Sequence, residues 1–80
     1  MNTQEIESSI RQFMSEELMF EQADEITLDE DLTLDSLDQT ELRVFLSDTF
    51  KIDTTLENVP AEKIGTLKDI ISLIESQSLH

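Results

Sequence analysis

The chain contains no cysteine, tryptophan or tyrosine, and it has one glycine and one proline. Without cysteine there is no disulfide framework, no zinc–thiolate site and no thiol nucleophile, so any thiol chemistry requires an attached group. No apolar run approaches the roughly 18 residues that a membrane span needs. The first five residues, MNTQE, lack the basic and apolar segments of a signal peptide. We therefore expect a cytoplasmic protein with no membrane span.

Positive charge is also scarce, because five basic residues face nineteen acidic ones and the net charge is −14. Such a chain is repelled by nucleic acid and by anionic membranes, and it is steered towards basic protein surfaces. A second interpretation is that the acidity only keeps a small protein soluble. The 80 residues, 38% of them hydrophobic, are enough for one compact domain over residues 1–80.

The first segment has the apolar spacing of an amphipathic helix from about residue 3 to 18, with Thr3 as its N-cap. Its predicted core face consists of Ile6, Ile10, Phe13, Met14 and Leu18. Residues 19–35 have no sustained helical period, and acidic and apolar residues alternate there. We expect a long structured loop whose apolar residues hold it to the core, and loops of this length are usually functional.

A second helix is predicted over residues 36–50, with Asp35 as its N-cap and Asp38 at the third helical position. Ser36 then lies at the electropositive start of the helix, where a phosphate group would be stabilised. A serine at this place is well positioned to carry a phosphodiester.

Two stripes run along this second helix. The core stripe is predicted to contain Leu42, Phe45, Leu46 and Phe50, and the neighbouring stripe contains Leu37, Thr40, Glu41, Val44 and Asp48. The neighbouring stripe is apolar with acidic edges, which suits a partner surface. Alternatively, Leu37 and Val44 complete the core, and the sequence leaves both interpretations open.

The last third of the chain predicts a short helical turn over residues 59–64 and a final helix capped by Thr66, with Asp69 at its third position. The core stripe of that helix is Leu67, Ile70, Ile71 and Ile74. Residues 76–80 are expected to fray. The predicted fold is all-α, a small four-helix bundle of three longer helices and one short helix, with a long loop between helices 1 and 2.

The segment Leu32-Thr33-Leu34-Asp35-Ser36-Leu37-Asp38, followed by Glu41-Leu42, resembles the signature of acyl carrier proteins. That family has an Asp-Ser-Leu motif at the start of its second helix, followed closely by Glu-Leu. The resemblance covers nearly the whole chain and includes its length, its acidity and its helix order. It implies that Ser36 receives 4′-phosphopantetheine from coenzyme A through a phosphodiester, beside Asp35 and Leu37, and that the thiol of this arm carries acyl groups as thioesters. The protein itself would be a carrier and not an enzyme.

The resemblance also implies partners. Asp35 would help to engage the basic phosphopantetheinyl transferase that loads the arm. The surface offered to this enzyme, and to acyl-transferring or condensing enzymes with basic surfaces, would consist of Asp35, Leu37, Asp38, Glu41, Val44 and Asp48. An acyl chain would be sheltered by Leu42, Phe45, Leu46, Ile64 and Ile71, although ordinary core packing explains these five residues equally well. We expect a monomer.

The chain departs from the commonest fatty-acid pattern at several positions. Thr33 replaces a usual glycine, so the loop backbone there should avoid a conformation that only glycine adopts. Arg43 stands on a helix that is usually apolar or acidic at that place, and none of its helical neighbours is acidic, so we expect it to face solvent or a partner. Leu34 replaces a smaller residue, and Ser47 and Thr49 stand where many relatives carry glutamate. These differences favour, beside a carrier of fatty acid biosynthesis, a specialised carrier for polyketide, lipid-modifying or aminoacyl chemistry.

Other classes fit the residues less well. An EF-hand counted from Asp29 needs glycine and glutamate where the chain has Leu34 and Thr40, so we expect no metal site. A hydrolase using Ser36 lacks a partner, because the single histidine is His80 in the tail. A small acidic adaptor for protein interactions, with Ser36 as a helix cap or a phosphorylation site, remains the alternative to a carrier.

Overall fold

A computed structural model describes residues 2–78 of the chain and confirms the all-α class. Its elements are α1 (Thr3–Glu16), α2 (Ser36–Phe50), a short 3-10 helix (Ala61–Ile64) and α3 (Leu67–Ser78). No strand occurs within these residues, and no helix among them is long and apolar enough to cross a bilayer.

α1 begins at the predicted residue, but its N-cap and its end differ from the prediction. Asn2, and not Thr3, is the N-cap, since its extended backbone lets its side-chain oxygen accept from the Glu5 amide at 2.8 Å. Thr3 is the first helical residue. The helix ends two residues early, and Met19 takes a left-handed backbone with φ 61° that no helix can continue through.

The bounds of α2 are those predicted, and Asp35 caps it as expected. The helix stops at Lys51, whose left-handed backbone (φ 58°) lets its amide donate to the Ser47 carbonyl at 3.0 Å.

α3 begins as predicted, because the Thr66 hydroxyl accepts from the Asp69 amide at 3.1 Å. The expected fraying from residue 76 is wrong as far as residue 78, which is still helical. Gln77 accepts from the Asp53 amide at 2.9 Å and donates to the Asp53 carbonyl at 3.0 Å, so a distant segment holds this end of the helix. His80 lies outside the described residues.

The core is formed by apolar side chains from every helix and from the loops between them. Those exposed by 2% or less from the helices are Ile6, Ile10, Met14, Leu42, Leu46, Ile64, Leu67, Ile70 and Ile74. These residues include most of the three predicted core stripes, which confirms the helical period read from the sequence.

The loop before α2 is structured, as predicted. Ala23 and Leu32 are buried in the core. The Leu32 amide donates to the Gly65 carbonyl at 2.9 Å, and the Lys68 amide donates to the Leu28 carbonyl at 3.0 Å. The loop is therefore bonded to the start of α3, at the far end of the sequence, and this contact positions the residues that lead to Ser36.

Candidate functional site

Ser36 is the first residue of α2, and its side chain is exposed. Asp35 has an extended backbone, and its carboxylate accepts from the Asp38 amide at 2.8 Å. The Thr40 hydroxyl donates to the Ser36 carbonyl at 2.9 Å. These bonds fix the backbone on both sides of the serine, so its hydroxyl is held at a defined place on the surface.

The Ser36 hydroxyl is exposed, and it makes no hydrogen bond to another side chain among residues 2–78. The serine also lies where the free amide groups and the positive end of the helix dipole of α2 are concentrated. This arrangement can stabilise a phosphate on the oxygen once it is there.

The loop that leads to Ser36 takes a strained turn. Thr33 has φ 50°, so the expectation that its backbone avoids the left-handed region favoured by glycine is wrong. The Asp31 carboxylate accepts from the Thr33 amide at 2.9 Å, and the Thr33 hydroxyl donates to the Leu32 carbonyl at 2.7 Å. Such local side-chain bonds stabilise turns that a β-branched residue would otherwise disfavour.

The second stripe of α2 lies on the surface. Leu37 is 66% exposed and Val44 is 56% exposed, so the interpretation that they complete the core is wrong. Thr40, Glu41 and Asp48 are exposed beside them. Of the predicted partner residues, Leu37, Glu41, Val44 and Asp48 thus lie exposed on α2, whereas Asp35 caps the helix and Asp38 is half-buried.

The predicted acyl-lining residues lie mostly in the core. Leu42, Leu46, Ile64 and Ile71 are buried, between 0% and 5% exposed. Phe45 is only half-buried and reaches the surface. This placement is what core packing requires, and the role of these residues in holding an acyl chain remains a prediction.

Arg43 does not face solvent or a partner, and that prediction is wrong. Its Nη1 donates to the Thr54 carbonyl at 2.8 Å and to the Val59 carbonyl at 2.6 Å, while the Thr54 hydroxyl donates to the Arg43 carbonyl at 2.9 Å. Its Nη2 is buried without a hydrogen-bond partner among the described residues. No sequence pattern indicates this role, because the acceptors are backbone carbonyls 11 and 16 residues away.

An open groove of about 700 Å³ runs between α1 and α2. It is lined by Ser9, Gln12, Phe13, Glu16, Glu17, Thr40, Glu41, Val44, Phe45, Asp48 and Thr49. The rings of Phe13 and Phe45 stack with their centroids 4.2 Å apart and their planes 16° apart. Phe13, predicted for the core, packs against it but is only half-buried. The 3.6-residue period places the lining residues on one stripe of each helix, but it does not show that the two stripes border one groove.

No group of three or more histidine, cysteine, aspartate or glutamate side chains within residues 2–78 is arranged to hold a metal ion.

Comparison with curated proteins gives a relative among the acyl carrier proteins. The chain is 40% identical over 81 residues to an acyl carrier protein from Exiguobacterium sibiricum, and the match covers 96% of this chain and 99% of that protein. No family model and no solved structure matches the chain.

Proposed function

Since the chain belongs to the acyl carrier protein family, we propose that it holds acyl intermediates on a 4′-phosphopantetheine arm attached to Ser36. The observation that carries the proposal is the exposed Ser36 hydroxyl at the start of α2, directly after the Asp35 cap. When bound, the arm would supply a thiol that carries acyl groups as thioesters.

The residues around Ser36 support attachment rather than catalysis. Asp35 holds the first turn of α2 by accepting from Asp38, so Ser36 is presented to a loading enzyme in one geometry. The serine oxygen would bond to the phosphorus next to the pantetheine of coenzyme A, the pyrophosphate bond would break, and adenosine 3′,5′-bisphosphate would leave. The loading enzyme would take the serine proton. Ser36, Asp35 and the exposed Leu37 would hold the base of the arm, and the helix dipole would stabilise the phosphate.

We propose that partners bind a surface formed by the start of α2 and its exposed stripe. The residues of this surface are Asp35, Leu37, Asp38, Glu41, Val44 and Asp48. Carboxylates beside exposed apolar side chains suit basic, partly apolar patches on a phosphopantetheinyl transferase and on acyl-transferring or condensing enzymes. The net charge of −14 would speed each encounter with such a surface.

The cargo and its setting remain proposals. An acyl chain would enter among Leu42, Phe45, Leu46, Ile64 and Ile71 if α2 and the 3-10 helix separate slightly. The pathway would be fatty acid, polyketide or specialised lipid synthesis, and the carrier would act as a cytoplasmic monomer. Departures such as Thr33 and Arg43 favour a specialised pathway.

Mass spectrometry tests the attachment directly. Incubation of the folded protein with coenzyme A and a broad-specificity phosphopantetheinyl transferase should add the mass of one arm. Ser36→Ala should gain nothing, whereas Ser47→Ala, which alters another exposed serine of the same helix, should be loaded normally. A folded wild-type protein that no transferase loads would refute the proposal. The adaptor alternative predicts at most the mass of a phosphate on Ser36 in protein from native cells.

Charge reversal tests the partner surface. Asp38→Lys or Glu41→Lys should slow loading and weaken its salt dependence, because each removes an attraction to a basic enzyme. Glu57→Lys makes the same charge change at an exposed site outside α2 and should have less effect. Equal loading rates in all three variants would remove the assignment.

A further inference from the structure

The groove between α1 and α2 is open, and no other segment of residues 2–78 fills it. α1 packs closely on α3, and α3 packs closely on the 3-10 helix, whereas α1 and α2 stay further apart. Residues 9, 12, 13 and 16 of α1 face residues 41, 44, 45 and 48 of α2 across the groove. The result is a trough between two helices, which is the shape that receives a third helix.

The floor of this trough is apolar. The stacked rings of Phe13 and Phe45 line the groove, and both side chains are only half-buried, so parts of both rings reach the surface. Val44 adds an aliphatic side chain that is 56% exposed. Covering these groups would remove apolar surface from water, which favours binding of a partner with apolar side chains.

The rim of the trough is acidic. Glu16 and Glu17 lie on the α1 side, and Glu41 and Asp48 lie on the α2 side. All four are exposed, and no lysine, arginine or histidine is among the lining residues. The rim charges are therefore not neutralised within the groove, and a cationic partner would complement them.

We propose that this groove binds an amphipathic helix of a partner protein, with an apolar face flanked by lysine or arginine. A second copy of the chain would bring another −14 charge to an acidic rim, and an anionic membrane would be repelled in the same way. The inference goes beyond the proposed function by giving α1 a part in partner binding. It depends on the proposed function only at Glu41, Val44 and Asp48, which belong both to the groove and to the proposed partner surface of α2.

The position of the groove relative to Ser36 suits a partner that also uses the arm. Val44 lies eight residues beyond Ser36, which is about 12 Å along the axis of α2. A helix bound in the groove would lie beside the attachment site and leave the serine oxygen open. The partner would thus be held next to the cargo without blocking it, and the local concentration of the cargo at the partner would rise.

A synthetic probe tests the inference. The probe is a fluorescein-labelled peptide of about 14 residues made only of leucine and lysine, with leucines at positions i, i+3, i+4 and i+7. Its control has the same composition in an order that spreads the leucines around the helix. Fluorescence anisotropy gives the Kd, and amide chemical shifts of the isotope-labelled protein locate the binding site.

The variants distinguish the effect of the rim carboxylates on binding from the effect of the net charge of the protein. Glu16→Lys/Glu17→Lys should weaken binding about ten-fold, and lysine at the end of α1 is compatible with the helix dipole, so the fold should persist. Glu57→Lys/Glu62→Lys makes the same net charge change at exposed residues outside the groove, and it should weaken binding less than three-fold. Val44→Gln should weaken binding by a similar ten-fold through loss of apolar contact.

The expected result is a set of peptide-induced shifts centred on Phe13, Val44 and Phe45, with weaker binding of the control peptide. Equal loss in both double-lysine variants, equal binding of both peptides, or shifts centred elsewhere would overturn the inference. Concentration-dependent shifts at these residues without peptide would identify a second copy as the occupant and overturn it too. Loading of Ser36 is measured separately, so a groove that binds nothing in a protein that is loaded refutes this inference alone.

Discussion

The two longest connecting segments, residues 17–35 and 51–60, are each held to a helix by an arginine that donates to backbone carbonyls. Arg11 of α1 donates to the Ala23 carbonyl at 2.6 Å and also pairs with Glu7 at 3.0 Å. Arg43 of α2 donates to two carbonyls, those of Thr54 and Val59. In a chain with nineteen acidic residues, only one of these arginines has a carboxylate partner.

The two anchors differ in how far the chain depends on them. Both segments have other attachments, since the first bonds by its backbone to the start of α3 and the second bonds through Asp53 to Gln77 of α3. They differ in the number of buried carbonyls that the arginine serves, because Arg11 bonds only that of Ala23, whereas Arg43 bonds those of Thr54 and Val59. A single glycine in 80 residues limits tight backbone turns, and side-chain donors fix the loops instead.

The largest effect is expected at the second anchor. Arg43→Met keeps the length of the side chain but leaves the Thr54 and Val59 carbonyls without their donor, which should lower the free energy of unfolding by about 2 kcal/mol. Arg43→Lys should restore only part of this, since an ammonium group lacks the planar fork of a guanidinium. Urea denaturation followed by circular dichroism measures both. A loss below about 0.5 kcal/mol for Arg43→Met would show that water replaces the arginine.

A smaller effect is expected at the first anchor. Arg11→Met removes one carbonyl bond and one ion pair between side chains that are partly exposed, so the loss should be about 1 kcal/mol. The same denaturation experiment provides the comparison. If Arg11→Met costs more than Arg43→Met, the ranking of the two anchors is reversed.

The strained turn in the first segment offers a gain in stability. Thr33→Gly relieves the left-handed backbone of a β-branched residue but increases the entropy of the unfolded chain, so the net gain should be about 0.5 kcal/mol. Thr33→Val, which keeps the branching and loses the hydroxyl bond to Leu32, should destabilise. Thermal unfolding of both variants decides the point, and a higher Tm for Thr33→Val would contradict it.

The weakest effect concerns pH and the second segment. Amide donation from Thr55 and side-chain donation from Asn58 lower the pKa of Asp53 below its ordinary value. The folded state thus favours the ionised carboxylate, so its contribution to stability is present above about pH 4 and is lost as the pH falls through the lowered pKa. Asn58→Ala should move the pKa of Asp53 upwards. A carbon-detected NMR titration measures it, and an unchanged pKa would exclude Asn58 as a cause.

Sequence reasoning succeeded where the signal was local. The bounds of α2, the Asp35 and Thr66 caps and the apolar stripes all follow from residues within one or two turns of each other. It failed where the partner was distant or lacked a side-chain signature. The carbonyl acceptors of Arg43 carry no residue type. Two local signals were also missed, since Asn2 caps α1 and the Asp31 carboxylate that supports Thr33 is only two residues away.

The site divides in the same way. The position of Ser36 could be predicted, because a cap and a helix start are encoded in four consecutive residues. The exposure of Leu37 and Val44 could not, since the stripe they share fits a core as well as a surface until the packing of α1 and α3 is known. The groove between α1 and α2 depends on the spacing of two helices, which no short segment specifies.

The two backbone hydrogen bonds between the long loop and the start of α3 determine when the region around Ser36 can fold during synthesis. The Leu28 carbonyl satisfies the Lys68 amide, one of the free donors at the helix start, so the loop and the last helix complete one another. During synthesis α3 emerges after the loop and α2, and until then the stretch before Ser36 lacks its distant support. Before α3 has folded against the loop, Ser36 would therefore be loosely held. Only afterwards would a loading enzyme meet the serine in the geometry of the folded protein.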